Sequence, residues 1–455
     1  MTVSEQRKAN QAKFIYASDM PTFDVTKPLP PTVQPSSKWE YNFKLSLYGL
    51  GGVNDILSAP NLKSGGTEIN MVSYLIPNLT RLRPDKFSDE FFVERRLNGF
   101  SPGKLKRVEN QPWQYIIRYD FSGVRVDKNG VLPQFIEARF CLDGQQLHVH
   151  SIEFILHGER KIQNLSPRDR DWEWAKKLFR CAEFVQHETV AHLGGTHLNI
   201  DQYAMAYYRN VVNNPIIELL EPHFEGLLSI NQQGLSELVG SDAKEGLVPQ
   251  LTVLNYEDSQ KSVVEGLKTL TYRHWSPRAH TLPDYVANNH YDRAAIAMWN
   301  MINKYVKNFF DQNQAGIQEY WGEIEAMSKD LAAHSILKPE LGTLDIKTLQ
   351  DLREMCVYVI YISTFQHSWV NHKQYEDGGD IEYATLGMWK ESDRLTAARN
   401  SAQVSTTLHL TSVRHNPIMG VDLPVANKLK EALWENREQI EPGIAIDTIL
   451  MSISI

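Results

Sequence analysis

The sequence predicts a mainly α-helical chain carrying one small antiparallel β-region, and two patterns support that reading. Downstream of Asp171 most segments repeat their apolar residues at the helical period, whereas residues 114–156 alternate in the manner of strands. No internal repeat and no low-complexity tract interrupts these patterns. The chain has 455 residues, 42% hydrophobic and 10% aromatic, ample for a large core. Length alone would allow two or three domains.

Each element has its own justification. Residues 1–40 hold a Pro-rich piece, Pro28-Leu-Pro-Pro31 through Pro35, which reads as an extended arm with room for a short helix at its start. Residues 41–80 mix apolar stretches with turns expected at Gly51-Gly52 and Gly65-Gly66. Ser88 to Leu97 reads as a helix with Ser88 as N-cap and acidic residues in the first turn. Gln146-Leu147-His148-Val149-His150 alternates as a strand, after a turn at Asp143-Gly144. Asp171 to Ala191 is a long helical stretch, followed by helices over Tyr203–Val212, Pro215–Leu220 and Asn288–Phe310. Leu349 to Tyr375 is apolar through Cys356-Val-Tyr-Val-Ile-Tyr-Ile362 and should be a buried helix. Val425 to Arg437 closes the series as an amphipathic helix.

Charge and cysteine usage narrow the class. The net charge is −8, from 47 Lys+Arg against 55 Asp+Glu, and no basic block points to nucleic acid. Cys141, Cys181 and Cys356 are odd in number and scattered, as expected of reduced thiols in a cytoplasmic setting. Residues 1–10 lack the apolar core of a signal peptide, and no apolar run approaches the ~20 residues of a membrane span.

The chemistry lies in a set of histidines. His187, His192 and His197 repeat at intervals of five, His367 and Asn371 lie four apart, and the chain stops at Ile455, whose carboxylate can also bind a metal. Imidazole, amide and carboxylate make a nitrogen/oxygen site that suits iron or manganese. No cysteine shares the spacing, which argues against a cluster or thiolate site. A step of four returns to nearly the same face of a helix, but a step of five overshoots by about 140°. His192 and His197 can meet on one ion only if the helix is widened, so a π-type turn is predicted there. The zinc-protease pattern H-E-x-x-H fails, because His187-Glu188-Thr189-Val190-Ala191-His192 is one residue too long.

Trp172-Glu-Trp-Ala-Lys176 followed by His187-x4-His192-x4-His197 closely resembles the lipoxygenases. So do Asn214-Pro215-Ile-Ile-Glu-Leu-Leu-Glu-Pro-His223 and Ile230-Asn231, and upstream Ser88-Asp89-Glu90-Phe91 and Leu97-Asn98-Gly99-Phe100-Ser101-Pro102. Phe365-Gln366-His367-x3-Asn371-x2-Gln374-Tyr375 looks like the family's second metal helix, and Ser452-Ile-Ser-Ile455 like its usual end. The resemblance runs from about residue 85 onward, with gaps. One departure is Asn214, where the family usually has a histidine that is not a ligand.

The resemblance implies one lipoxygenase catalytic domain over residues 41–455 behind an arm of residues 1–40. That arm is too short for the family's N-terminal β-barrel, since independent domains start at about 50 residues; the chain looks like a minimal, bacterial-type lipoxygenase. It implies His192, His197, His367, Asn371 through its carbonyl oxygen, and the Ile455 carboxylate as metal ligands, with His187 a packed or hydrogen-bonding neighbour. Gln374 resembles the glutamine that orients the Asn amide. Glu188 either alters the link between substrate pocket and metal shell or is a solvated helix-face residue. Gly234 falls where the family carries Gly, associated with R products, or Ala, associated with S products; otherwise it is a helix glycine wanting a reason. Leu238 matches a leucine that clamps the substrate pentadiene, and is otherwise a plain core residue. His223 is expected to be structural, Trp299, Trp321, Tyr358 and Tyr361 core, and His148, His150 and His372 have no assigned role.

By the same resemblance the expected activity is that of a non-haem iron dioxygenase. It would remove a hydrogen atom from the bisallylic carbon of a polyunsaturated fatty acid and let O2 add from the opposite face. Manganese in the same site, or action mainly as a hydroperoxide isomerase, are the alternatives. A fatty-acid-binding protein without catalysis is a further one, opposed by the presence of all five ligands. Peripheral membrane contact by the arm is compatible with the sequence, and the oligomeric state is not encoded legibly.

Overall fold

The computed structural model describes residues 1–45, 78–241, 244–269, 286–391, 394–413, 415–422 and 424–455. The turns expected at Gly51-Gly52 and Gly65-Gly66 lie outside these residues. Thr2 starts the first helix, Val3–Lys13 (α1), with a reciprocal cap in which its hydroxyl accepts the Glu5 N–H and the Glu5 carboxylate accepts its own. Ser36 caps Ser37–Lys44 (α2) through the Trp39 N–H. The intervening chain is packed down: Phe14, Phe23 and Trp39 are buried, and Phe14 stacks on Tyr208 at 5.0 Å.

Ser88 caps the helix Asp89–Asn98 (α3) as its sequence requires, its hydroxyl accepting the Phe91 N–H at 3.0 Å. The motif that follows joins three parts of the molecule. Asn98 Oδ1 accepts the N–H groups of His290 and Tyr291, while Gly99 O accepts the Trp369 indole N–H at 3.0 Å. Arg95 pairs with Asp377 at 2.7 Å and Arg96 with Glu183 at 2.7 Å, all four nearly without solvent contact. Removing one partner of such a pair strands a buried charge and costs about 3–5 kcal/mol, so these pairs fix α3 in place.

The strands form a five-stranded antiparallel sheet in sequence order: Lys106–Arg107 (β1), Tyr115–Asp120 (β2), Pro133–Asp143 (β3), Gln146–Leu156 (β4) and Gln163–Leu165 (β5). Asp143 pairs with Gln146 across a tight turn in which Gly144 takes φ 58°, the left-handed region where glycine carries no steric penalty. Leu147 and Val149 face the core while His148 and His150 are exposed, which leaves those two histidines on the surface. The buried face packs on α3 and on Trp172–Gln186 (α4), through Phe92, Ile136, Phe140, Phe154 and Phe179.

Outside this sheet, among the described residues, lie two short strand pairings, Gly130–Val131 with Met388–Trp389 and Gly240–Ser241 with Lys244–Glu245, and the other regular elements are helices. α4 runs unbroken into a π-helix, His187–Leu198, and then into Asn199–Asn210 (α5). Ile216–Phe224 (α6) and Leu227–Gly234 (α7) follow, the latter continuing as a π-helical turn over Leu235–Val239. Tyr256–Leu267 (α8), His290–Glu319 (α9) and Trp321–His334 (α10) precede Leu349–Tyr361 (α11). α11 passes through a third π-helical turn, Ile362–Gln366, into His367–Gly378 (α12). Arg394–Ser412 (α13) and Pro424–Glu435 (α14) follow, and short helical pieces lie at Leu79–Leu82, Leu247–Leu251 and Arg437–Ile440. α9 and α11 lie at the centre of the largest core, and Met355 to Ile362 are all buried, which matches the apolar run in the sequence.

No helix was expected from the sequence at α2, α8, α10 or α13. α13 is rich in Ser, Thr and Ala and carries no apolar stripe; its hydroxyls bond back to its own carbonyls, Thr407 to Gln403 O and Ser412 to Leu408 O. α9 also runs on to Glu319, through a polar stretch that packing supports. Among the described residues no helix is long and apolar enough to cross a membrane.

Candidate metal centre

The five-residue spacing acts through the π-helix. In that helix hydrogen bonds reach from i to i+5, so His192 and His197 fall on one face of successive turns. The expected widening is present over the whole of His187–Leu198. Side chains support the widened turns: Thr189 Oγ1 donates to Val185 O, Thr196 Oγ1 to His192 O and Asn199 Nδ2 to Gly195 O. Thr364 Oγ1 does the same for Ile360 O just before His367.

Three imidazoles converge. One nitrogen from each of His192, His197 and His367 lies within 4.8 Å of the others, and all three residues are buried. Ring centroids are 5.0 Å apart for His192–His197 and His197–His367, and 5.6 Å for His192–His367. Burial holds the His197 ring down to about 4, and pushes His192 and His367 well below the ordinary imidazole value, helped by the neighbouring rings. All three are therefore neutral at pH 7, the state in which imidazole binds a metal. The Nε2 atom of His192 is buried without a hydrogen-bond partner. A buried, unsatisfied lone pair costs about 1–3 kcal/mol, and an ion held between the three rings would satisfy it.

The chain end joins this group. Ile455 is 1% exposed and its main-chain oxygen lies 3.1 Å from His367 Nε2. The tail is seated by a ladder of polar contacts: Ser368 Oγ accepts the Leu450 N–H, His223 Nδ1 meets Met451 O at 2.7 Å, and the Trp39 indole N–H donates to Ser454 O. His223 thus has the structural place expected of it. Asn371, one turn beyond His367 on α12, is fully buried and held at both ends. Its Nδ2 donates to Leu410 O at 2.9 Å, and its Oδ1 accepts from Gln374 Nε2 at 3.1 Å. The second lone pair of that oxygen is free for an ion. The residues present thus fit a nitrogen/oxygen metal such as iron or manganese.

The His187 ring lies 5.5 Å from that of His192, but His187 is not one of the three residues whose nitrogens converge. Its ring packs edge-on against Phe100 at 4.7 Å, and burial holds it down to about 3. Glu188 Oε1 is 3.9 Å from His187 Nε2, too far for a hydrogen bond. Burial pushes the Glu188 carboxyl up to about 8. Both groups are neutral at pH 7, so this contact is no ion pair, and Glu188 is largely buried instead of solvated. Gly234 ends α7 with ordinary helical angles, φ −59° and ψ −45°. A methyl group added there would meet only Leu238 Cδ1, at 3.9 Å. Leu238 is half-buried on the second π-helical turn, and so is not a plain core residue. His372 bonds back to Ser368 O, and Tyr358, Tyr361 and Trp299 pack in the core.

Two supporting residues were missed from the sequence. Asn231 Oδ1 lies 2.9 Å from His197 Nδ1, and Asn231 Nδ2 donates to Asp201 at 2.8 Å. Asp201 lies four residues after His197, a spacing that puts it one turn away along the same helix, and this was the available signal. Asn214 lies just ahead of α6, its Oδ1 accepting the Ile216 N–H and its Nδ2 donating to Ile317 O, so the departure at that position leaves the centre untouched.

Comparison with known proteins agrees with this geometry. The lipoxygenase family model matches residues 160–385, a span that includes His192, His197, His367 and Asn371. The linolenate 9R-lipoxygenase of Nostoc sp. is 29% identical over 98% of this chain and 57% of its own length. A human hydroperoxide isomerase is 27% identical over 66% of this chain and 48% of its own. The chain thus spans about half the length of the curated relatives it matches. The crystal structure of a 9R-lipoxygenase from Cyanothece, 24% identical, superposes with a TM-score of 0.86 over 97% of this chain and 76% of that one. A shared fold over nearly the whole length, and a matched segment that contains both histidine-bearing helices, lead to one conclusion: the chain belongs to the lipoxygenase family.

Proposed function

We propose that this chain is a dioxygenase that inserts O2 into polyunsaturated fatty acids of the linoleate or linolenate type. In this reading its products are R-configured hydroperoxides, and one iron is held by His192, His197, His367, Asn371 and Ile455. The observation that carries the reading is the convergence of three neutral, buried imidazoles with the oxygen of Ile455. Bound there, iron supplies reversible one-electron oxidation of the pentadiene.

The chain's own residues do the rest. His197 keeps its proton on Nδ1, against Asn231, and turns a bare Nε2 inward. Gln374 and Leu410 O hold the Asn371 amide in one orientation. His187 and Glu188 stay uncharged, so the surroundings of the centre remain apolar. The absent methyl at Gly234, beside Leu238, leaves room for O2 on one side of the substrate; that space, and the likeness to a linolenate 9R-lipoxygenase, support the R configuration.

The test is ultraviolet absorbance of the conjugated diene on adding linoleate or α-linolenate in air, with metal analysis on the same sample. A rise with stoichiometric iron supports the reading. Manganese with the same rise changes the ion and keeps the reaction. The likeness to a hydroperoxide isomerase favours one other activity: consumption of added fatty-acid hydroperoxide with no diene formed from the parent acid.

A further inference from the structure

Two contacts tie the N-terminal segment to the supports of two different ligands of the proposed centre. The first is a relay of three hydrogen bonds. The main-chain N–H of Phe23 donates to Asp201 Oδ1 at 3.0 Å; Asp201 Oδ2 accepts from Asn231 Nδ2 at 2.8 Å; Asn231 Oδ1 lies 2.9 Å from His197 Nδ1. Phe23, Asp201 and Asn231 are each no more than 2% exposed. The second is the Trp39 indole N–H on Ser454 O, the residue before Ile455. Gly226, at φ 76°, lies beneath both: a methyl there would be 3.2 Å from Ser454 Cβ and 3.6 Å from Trp39 Nε1.

The relay has a definite polarity. An Asn amide can flip, exchanging its donor and acceptor ends. Both oxygens of Asp201 accept here, Oδ1 from Phe23 and Oδ2 from Asn231, and Asn231 Nδ2 also donates to His197 O at 3.2 Å, so the Nδ2 end of Asn231 is held on that side and Oδ1 is left facing His197 Nδ1. That acceptor selects the tautomer with its proton on Nδ1, which frees Nε2. Phe23 occupies the other carboxylate oxygen and stops Asp201 from turning away.

We propose that the N-terminal segment from Phe14 to Lys44 is a strap that forms part of the metal-holding apparatus: Asp201 is a positioning residue for His197, the Phe23 N–H seats Asp201, and Trp39 seats the chain end. The inference rests on reading the histidine cluster as a metal centre.

The test uses the full chain loaded with iron(II) without air, timing release of iron to a colorimetric chelator and following thermal unfolding of the metal-free protein in parallel. Asp201→Ala should hold iron roughly 10- to 100-fold less tightly, the usual cost of losing a support behind a metal-bound histidine. Asp201→Asn, which keeps one acceptor, should fall between it and the wild type. Trp39→Phe keeps an aromatic ring but deletes the donor and leaves a smaller side chain in a buried site; it should speed release by more than the accompanying loss of stability in the metal-free protein accounts for. Asp201→Ala added to Asn231→Ala should change nothing further, because Asp201 reaches His197 only through Asn231, whereas Trp39→Phe should add its own effect. Unchanged release in both Asp201→Ala and Trp39→Phe overturns the strap. So does faster release that merely tracks lost stability of the metal-free protein. A wild-type chain that takes up no iron overturns the reading of the site, and the strap with it.

Discussion

His367 Nε2 and the main-chain oxygen of Ile455 stand 3.1 Å apart although 88 residues separate them in sequence. The carboxylate at that chain end would be costly to bury unless a neighbouring charge offset it, and the three neutral imidazoles supply none. An ion held between them would. Deleting Ile455 should therefore abolish iron retention. The helical circular dichroism should hardly change, because Leu450, Met451 and Ser454 keep their own contacts. Retention of stoichiometric iron in the deletion variant would remove the carboxylate from the ligand set.

His192 offers the sharpest single substitution. Its Nε2 has no hydrogen-bond partner to strand, so His192→Ala should fold, bind little or no iron and form no conjugated diene. Activity equal to wild type would refute the site.

At Gly234 the helical angles and the 3.9 Å clearance to Leu238 accept a methyl group. Gly234→Ala should raise stability by up to about 1 kcal/mol, and should move product chirality toward S on chiral-phase chromatography. A stability gain with unchanged chirality would leave Gly234 a helix glycine and nothing more.

Glu188 predicts a pH dependence of stability. Its carboxyl sits at about 8 in the folded chain against an ordinary 4.5, because burial disfavours its charge. The folded state thus keeps a proton that the unfolded chain has lost. The contribution is fully present below about 4.5 and is lost as pH climbs toward 8. Thermal midpoints of the wild type should fall across that window, and Glu188→Gln should flatten the fall. Parallel profiles for the two proteins would show that Glu188 is solvated.

Much of this was legible in the sequence for identifiable reasons. The mismatch between a five-residue repeat and a 3.6-residue turn forces a π-helix at His192 and His197. Alternation at Leu147 and Val149 reports a half-buried strand directly, and Ser88 announces its helix through a cap. What stayed illegible depends on distant partners. α13 has no apolar stripe, and its Ser and Thr residues favour other conformations until neighbours bury it. The Pro-rich arm reads as extended, yet Phe14, Phe23 and Trp39 find pockets that local sequence cannot reveal. Asn231 stood within a recognisable motif, but its role follows from a contact with His197 across 34 residues.

The π-helix makes the length of one segment a coding element in its own right. Between His187 and Leu198 each residue is counted by the register of the widened turns. A one-residue insertion between His192 and His197 would make the step six, which neither helix type returns to one face, whereas a one-residue deletion would make it four, which an ordinary helix does. Substitutions in this stretch can be tolerant or severe according to what they touch, but a change of length can be tolerated only if the helix type changes with it. The spacing is therefore under a constraint separate from residue identity, and a comparison that scores only matched residues would not register it.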